Sequence, residues 1–367
     1  FTFYNMMGGG MLRAATEADS ILASRFDTYD PADPAALDVG MDMEASAAQN
    51  RLVQFQSEGI LIDDLRAMMD QVTSSLQYGY NVDFDPRGLV GDNPADLSER
   101  FYGVPDVHGP DPSHGTGVAG LVAAARGNGL GIDGIAPNEA SGESAPVRIM
   151  ALRAVPNGDE RDKDIANAIR YAVDNGARVI NMSFGKGYSP QKTAVDEAAE
   201  YAAARGVLLV HAAGNDGKDL GGGGNYPTDI TASGGFIPTW IEVGASTRDM
   251  SALAADFSNY GDREVDLFAP GADVTSLAPG GEIQTANGTS FAAPVVAGVA
   301  ALVMAYFPDL SAEEVRQILL DSATPLAETT TPEPASGKAV AFGTLSVTGG
   351  VVNAAEAIRL AMERAAE

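Results

Sequence analysis

Residues 287–294 (NGTSFAAP) place a single serine, Ser290, just before the apolar run 295–306 (VVAGVAALVMAY). The run has helical spacing, so this stretch predicts a helix whose N-terminus lies near Ser290. The first backbone N–H groups of a helix have no partner within the helix, and the helix dipole favours negative charge beside them. A serine in this position could therefore serve as a nucleophile in a reaction that builds up negative charge.

Two motifs upstream contain the other groups that such a serine needs. Residues 113–120 (SHGTGVAG) include His114, and an imidazole, with an ordinary pKa near neutrality, can accept the proton of a serine hydroxyl. Residues 212–215 (AAGN) end in Asn215, whose side-chain amide can donate a hydrogen bond to an oxyanion. Serine, histidine and amide together indicate acyl transfer through an activated hydroxyl.

The glycines after His114 also match another motif, the G-x-G-x-x-G pattern of dinucleotide-binding loops. That pattern requires a hydrophobic strand running directly into its first glycine. The preceding residues 107–113 (VHGPDPS) are polar and contain two prolines, which excludes such a strand. We therefore predict that Ser113 caps a helix running to about Arg126, with His114 in its first turn.

The chain changes character near residue 80. Residues 1–80 are predicted to form helices joined by acidic, proline-containing turns, and one helix is indicated by an apolar stripe at Leu61, Leu65, Met68, Val72 and Leu76. Residues 81–367 alternate between strand and helix patterns, with predicted strands at 147–155, 178–182 and 206–211 and predicted helices at 163–175, 190–205 and 311–321. This alternation predicts an α/β fold with a mostly parallel sheet flanked by helices and an N-terminal helical segment.

Composition narrows the class of function. The 367 residues include no cysteine, which excludes disulfides and thiolate metal sites. The formal charge of −27 argues against nucleic acid or an anionic membrane as a partner. We find no apolar run of the length expected for a membrane span. The acidic composition leads us to expect a periplasmic or extracellular location.

The three motifs resemble those of the subtilisin-like serine proteases, the subtilases. In that family a His-Gly-Thr motif carries the general base, an Ala-Ala-Gly-Asn segment the oxyanion amide, and a Gly-Thr-Ser-x-Ala-x-Pro motif the nucleophile. Matched residue by residue, these roles fall on His114, Asn215 and Ser290. The resemblance extends over about residues 81–325.

The resemblance implies a serine endopeptidase that forms an acyl-enzyme on Ser290. Its substrate would be an extended polypeptide that pairs with residues 181–185 (NMSFG), which resemble the strand lining the substrate cleft in the family. Two alternatives stay open: a catalytically silent subtilase scaffold that binds peptides or acts as an assembly subunit, and an esterase or transferase with the same acyl-enzyme chemistry.

The family's catalytic aspartate, which ends an apolar strand before the histidine, has no clear match. A proline lies four residues before Asp38, and proline is excluded from a central strand. Asp83 and Asp85 have a more strand-like context but lack the small-glycine turn that follows the aspartate in the family. We therefore predict that this strand lies upstream of Phe1 or on a second chain, so that the peptidase domain, residues 81–367, lacks it. The helical segment before residue 81 would then be an insertion.

The proposed chemistry requires no cofactor. Without a histidine or cysteine cluster, we expect no transition-metal site. The resemblance allows a structural calcium ion, because subtilases often bind one, but the acidic loops 159–162 and 216–219 are more readily interpreted as solvated loops. His108 is interpreted as a loop residue, and His211 as a buried histidine rather than a second base.

Overall fold

The computed structural model describes two compact units, Phe1–Pro86 and Arg87–Glu367. The described residues are 2–57, 72–79, 81, 83–109, 111–138, 147–156 and 158–366.

The first unit contains a pair of packed helices, α1 (Thr2–Arg25) and α2 (Met43–Ser57). Their contact is made by small and apolar residues at helical spacing, namely Ala15, Ala18, Leu22, Ala45, Ala48 and Leu52. A π-helical turn spans Ser75–Gly79. The described part of this unit contains no strand, so the predicted N-terminal helical segment is confirmed. Of the predicted apolar stripe, Leu61, Leu65 and Met68 lie outside the described residues.

The second unit is built on a six-stranded sheet. The strands in chain order are β1 (Val179–Met182), β2 (Leu208–Ala212), β3 (Trp240–Ser246), β4 (Leu267–Pro270), β5 (Val274–Leu277), β6 (Ile283–Ala286), β7 (Thr324–Pro325), β8 (Thr330–Pro332), β9 (Ala339–Ala341) and β10 (Gly350–Val351). The sheet order is β1-β2-β3-β4-β10-β7, and only the last pair is antiparallel. Two antiparallel pairs, β5–β6 and β8–β9, lie outside it. The predicted mostly parallel sheet is confirmed.

Helices cover both faces of this sheet. The described helices of the second unit, in chain order, are α3 (Arg87–Val90), α4 (Ser113–Ala123), α5 (Asp162–Asp174), α6 (Lys192–Ala203), α7 (Thr289–Tyr306), α8 (Ala312–Asp321) and α9 (Ala354–Arg364). Strand β2 shows the arrangement, since its side chains alternate between the faces. Leu208 and Val210 pack with α7 and α8, whereas Leu209 packs with α5 and α6. All three are fully buried.

Helix α7 is the central helix of the second unit. It has 18 residues and a mean hydropathy of 1.7, long and apolar enough to cross a membrane, so the prediction that no apolar run reaches this length is wrong. However, 67% of this segment is buried inside the protein. Val296, Ala300 and Val303 are fully buried in the core beneath the sheet. A helix that is apolar all round is also typical of the core of a globular protein.

One predicted strand is wrong. Strands β1 and β2 occupy the positions expected for two of the predictions, but residues 147–155 form no ladder with any described strand. Four large apolar side chains of this segment are exposed, namely Ile149, Met150, Leu152 and Val155. A strand needs a neighbour to accept and donate its backbone hydrogen bonds, and no described strand lies alongside to do so.

A capping box begins α8: Ser311 Oγ accepts from the Glu314 N–H, and the Glu314 carboxylate accepts from the Ser311 N–H. We expect Ser311→Ala to lower the free energy of unfolding by about 1 kcal/mol, because the Glu314 N–H loses its acceptor, Ser311 Oγ. Urea denaturation of the purified chain measures this. Ser311→Thr retains the cap and should change the midpoint little; an equal loss in both variants would contradict the assignment.

Candidate active site

Ser290 is the second residue of α7 and is half-buried. Its Oγ lies 3.4 Å from the Ser183 carbonyl oxygen, a separation at which a hydrogen bond is weak, so the hydroxyl stays available. In return, Ser183 Oγ donates to the Ser290 carbonyl at 2.8 Å. That carbonyl is accessible because Pro294, four residues on, has no N–H to donate to it. Pro294 is thus the sixth residue of the helix.

Asn215 lies at the same helix end, held by its amide oxygen. Its Oδ1 accepts from the Thr289 N–H at 2.8 Å and from Thr289 Oγ1 at 3.0 Å. Its Nδ2 lies beside Gly288 and has no acceptor among the described residues. Because the oxygen is engaged, the amide N–H₂ is the free end of this exposed side chain.

The first N–H groups of α7 differ in their partners. The Thr289 N–H is bonded to Asn215, and the Phe291 N–H to the Gly288 carbonyl at 3.0 Å. The Ser290 N–H has no acceptor within the described part of the chain. Two donors without partners, this N–H and Asn215 Nδ2, therefore accompany the Ser290 hydroxyl at one helix N-terminus.

The loop that carries Asn215 depends on a residue that the sequence analysis missed. Asn259 is fully buried, and its Nδ2 donates to the Ala213 carbonyl at 2.8 Å. Its Oδ1 accepts from the N–H groups of Asp216 and Lys218. A buried amide that bonds three backbone groups of one loop holds that loop rigidly. No local motif marks Asn259, because its partners lie about forty residues away in the chain.

His114 lies in the first turn of α4 and packs against α7. Its ring meets that of Phe291, the residue after Ser290, edge-on at a centroid distance of 5.8 Å. The helix begins at Ser113 and ends at Ala123, so Ser113 is not the cap that was predicted, and the helix is shorter than expected. Instead, the Asp111 carboxylate accepts from the Ser113 N–H at 2.9 Å.

The His114 ring has an unusual electrostatic setting for a general base. Loss of water around the ring lowers its pKa, and the negative charge of Asp111 only partly opposes this. No described carboxylate within residues 87–367 is hydrogen-bonded to the ring. The imidazole is therefore neutral at pH 7 and able to accept a proton, but no carboxylate in the described part of this unit selects its tautomer.

The three sequence candidates for the aspartate all lie in the first unit. Asp38 is exposed, and its carboxylate accepts from the Gly40 N–H at 3.0 Å in a turn. Asp83 and Asp85 are exposed and lie in irregular chain. None of the three ends a strand among the described residues.

The remaining sequence candidates have other surroundings. His108 is exposed in a loop. His211 is fully buried, with both ring nitrogens in hydrogen bonds. In the acidic loops, Asp162 pairs with Lys186 at 2.7 Å and Asp219 accepts from a backbone N–H. The described residues contain no group of three histidine, aspartate or glutamate side chains placed to hold a metal ion.

Residues 82–342 match the model of the Subtilase family. The chain belongs to the subtilase family. It is 35% identical over 280 residues to the cell wall-associated protease of Bacillus subtilis (strain 168), covering 76% of this chain and 28% of that protein. It is 39% identical over 209 residues to the thermophilic serine proteinase of Bacillus sp. (strain AK1), covering 57% and 45%. Subtilisin Savinase of Lederbergia lenta is 38% identical over 216 residues, covering 59% and 72%.

Solved subtilase-like structures agree with this membership. The prenylagaramide maturation protease PagA has 28% identity and a TM-score of 0.50, covering 68% of this chain and 83% of its own. A serine-to-alanine mutant of the protease domain of PatA has 27% identity and a TM-score of 0.51, covering 71% and 84%. The chain spans less than half the length of the first two curated relatives described above.

The electrostatics of His114 can be tested by titration. We expect its pKa to lie below the ordinary value of about 6.5, and Asp111→Asn to lower it further, because a favourable negative charge is removed while a capping side chain is retained. NMR of the three histidine rings against pH measures this, with His114→Ala giving the assignment.

Asp133→Asn is the matched control for that titration, since Asp133 likewise accepts from a backbone N–H, that of Gly127. It should leave the His114 titration unchanged. A rise in the His114 pKa in Asp111→Asn would contradict the electrostatic account.

Proposed function

We propose that this subtilase is a serine endopeptidase that cleaves polypeptides through an acyl-enzyme on Ser290, with His114 as general base and Asn215 in the oxyanion hole. The observation that carries this proposal is the pair of unpartnered donors beside the Ser290 hydroxyl. Asn215 Nδ2 is left free because Thr289 occupies its Oδ1, and the Ser290 N–H lacks an acceptor in the described residues.

The proposed reaction begins when Ser290 Oγ attacks the scissile carbonyl carbon and His114 takes the hydroxyl proton. The carbonyl oxygen becomes an oxyanion, which accepts from Asn215 Nδ2 and the Ser290 N–H at the positive end of α7. The amine then leaves with the proton from His114, and water repeats the sequence to release the acid. Because the donors are already oriented, little reorganisation accompanies the charge development.

The substrate in this proposal is an extended peptide that pairs with the segment after β1. Gly185 is exposed, and its N–H and carbonyl make no backbone hydrogen bond to described residues. Extended peptides bind to such free backbone groups as an added strand. The Ser183 carbonyl, next to Ser290 Oγ, brings this segment to the nucleophile.

We further propose that a strand carrying the catalytic aspartate adds to β1 from an upstream segment of the same polypeptide, outside residues 1–367. Strand β1 ends the described sheet, and its outer edge has no described partner. Asn181 Oδ1, on this strand, is buried without a partner among the described residues. The segment 147–155 has a strand pattern but no ladder. A strand added at the outer edge of β1 would supply its missing hydrogen bonds, could pair with 147–155 on its other side, and would carry the carboxylate for His114.

Two expectations from the sequence stay proposals. The acidic composition supports a periplasmic or extracellular location, and family membership supports a structural calcium ion. Cell fractionation and the effect of a calcium chelator on thermal unfolding test them.

The nucleophile is tested by covalent labelling. A fluorophosphonate should modify Ser290 stoichiometrically in a preparation that cleaves casein, because two unpartnered donors lie beside that serine and the His114 ring contacts the next residue, Phe291. Ser290→Ala should abolish both labelling and cleavage without changing the circular dichroism spectrum. Labelling of another serine in an active preparation would show that Ser290 is not the nucleophile.

The oxyanion hole is tested with Asn215→Ala. We expect kcat to fall by roughly 10²–10³-fold with little change in KM, the loss typical of removing one oxyanion donor in this family, because the oxyanion exists only near the transition state. Asn175→Ala, an exposed asparagine after α5, is the matched control. An effect mainly on KM would make Asn215 a contact of the bound substrate instead.

The missing strand is tested by co-expressing the chain with its upstream sequence. We expect peptidase activity to rise by about 10⁴-fold, the loss typical of Ser-His-Asp hydrolases without their aspartate. Amide hydrogen exchange should slow at 147–155 and 179–182, and remain unchanged at the β5–β6 pair. Full activity without any added segment would contradict the proposal, and protection without activity would favour the silent scaffold. If peptidase activity returns only when a separate polypeptide is added, the strand lies on a second chain.

A further inference from the structure

A buried polar cluster lies directly behind the cleft segment 183–186 (SFGK) and takes no part in the proposed chemistry. At its centre His211 is fully buried on β2. Its Nδ1 lies 2.9 Å from both carboxylate oxygens of Glu242, the residue paired with it on β3. Its Nε2 lies 2.8 Å from the carbonyl oxygen of Phe184. Glu242 also accepts from the indole N–H of Trp240 at 2.9 Å.

The hydrogen-bond chemistry determines the protonation of this pair. A backbone carbonyl and an ionised carboxylate can only accept, whereas a neutral imidazole has one donor. Both contacts of His211 are satisfied together only when the ring is an imidazolium, or when Glu242 holds the proton. The Trp240 indole also donates to Glu242, so this group accepts from two donors at once, as an acceptor-only carboxylate can. The pair therefore consists of an imidazolium and a carboxylate.

The charges around His211 also favour its protonated form. Burial disfavours the charged ring, but the attraction and hydrogen bond of Glu242, with the Phe184 carbonyl and the more distant Glu160, raise the pKa of His211 above its ordinary value. Glu160 is itself buried, and burial raises its pKa.

Further charged groups surround Glu242 and Glu160. Asp266 accepts from the Glu242 N–H at 2.8 Å and pairs with Arg316 of α8 at 2.7 Å. Burial raises the pKa of Asp266 and of Asp229, which also faces Glu242, to about 6. Lys186 donates to the Glu160 carbonyl at 2.6 Å and pairs with Asp162.

The cleft segment is anchored on either side of the His211 contact. Ser183 Oγ donates to the Ser290 carbonyl, and Lys186 exchanges backbone hydrogen bonds with Tyr226 at 3.1 and 2.8 Å. Between these anchors, the Phe184 carbonyl is held by His211 Nε2. Loss of that bond would leave a partly buried carbonyl without its donor and release the middle of the segment.

We propose that His211, protonated and paired with Glu242, is a positioning residue that holds the Phe184 carbonyl and so orients Ser183–Gly185 for backbone pairing with the substrate. This inference rests on the proposed endopeptidase function. His211 does not touch the substrate; it acts through the backbone of the cleft segment. Its effect therefore belongs to substrate binding, in KM, and only weakly to kcat.

The pH dependence follows from the two histidines. His211 has a raised pKa, so its contribution is fully present below the pKa of an unfolded histidine and is lost as pH rises through the raised value. His114 has a lowered pKa and acts as a base above it. The profile of kcat/KM should rise with the deprotonation of His114 and fall with that of His211.

Three variants test this proposal by kinetics. His211→Leu/Glu242→Leu removes the pair without leaving a lone buried charge, and should raise KM about tenfold, the size of one buried hydrogen bond, with kcat within about twofold. Glu242→Gln should rescue KM, because a Gln amide can donate to Nδ1 while neutral Nε2–H still donates to Phe184. This variant should also abolish the fall of kcat/KM at alkaline pH, because the neutral His211 ring already donates to the Phe184 carbonyl. His108→Leu, in an exposed loop, is the matched control.

A purely structural role would lower thermal stability but leave KM and the alkaline fall unchanged in all variants, and that result would overturn the proposal. A separate measurement distinguishes failure of the proposed function. ¹⁵N NMR of the purified chain, which needs no activity, should show both His211 ring nitrogens protonated at pH 7. A neutral His211 ring would overturn the inference even in an active enzyme. A charged ring in a chain that shows no peptidase activity even when it is co-expressed with its upstream sequence would instead refute the proposed function.

Discussion

The candidate site depends on the burial of one apolar helix against a parallel sheet. Helix α7 is held in the core by Val296, Ala300 and Val303, and its N-terminus lies beside the segments that follow β1 and β2. Ligand sites in open α/β sheets lie beyond the carboxyl ends of the strands, and here Ser183 and Asn215 extend from two such ends. Because the helix cannot shift without opening the core, the Ser290 hydroxyl and its neighbouring donors stay aligned.

Buried polar side chains hold the loops of the site in place against the core. Asn259 holds the loop of Asn215, and His211 holds the carbonyl of Phe184. Each bonds backbone groups of a loop that has few hydrogen bonds of its own. In a medium of low polarity such bonds are strong, and leaving any of these groups without a partner is costly. Asn259 and His211 thus position the loops of the site without being part of the proposed substrate contacts.

His114 and His211 differ because only His211 has a carboxylate hydrogen-bonded to its ring in the described part of the second unit. Desolvation acts on both rings and disfavours their charged forms. At His211 the adjacent Glu242 more than offsets this, whereas at His114 the distant Asp111 does not. A carboxylate added beside His114 by another strand would raise its pKa and select the tautomer that leaves one nitrogen free for the serine.

The sequence by itself determined the features that depend on local pattern. The apolar run after Ser290, the glycine-rich motif around His114 and the strand–helix alternation predicted the main elements, because periodicity and turn chemistry are short-range properties. The tertiary structure alone decided the roles of Asn259 and His211, whose partners lie tens of residues away in the chain, and it left residues 147–155 without a ladder despite their strand pattern. A strand forms only beside a neighbour, and a buried polar group is stabilised only by the partners that folding brings to it.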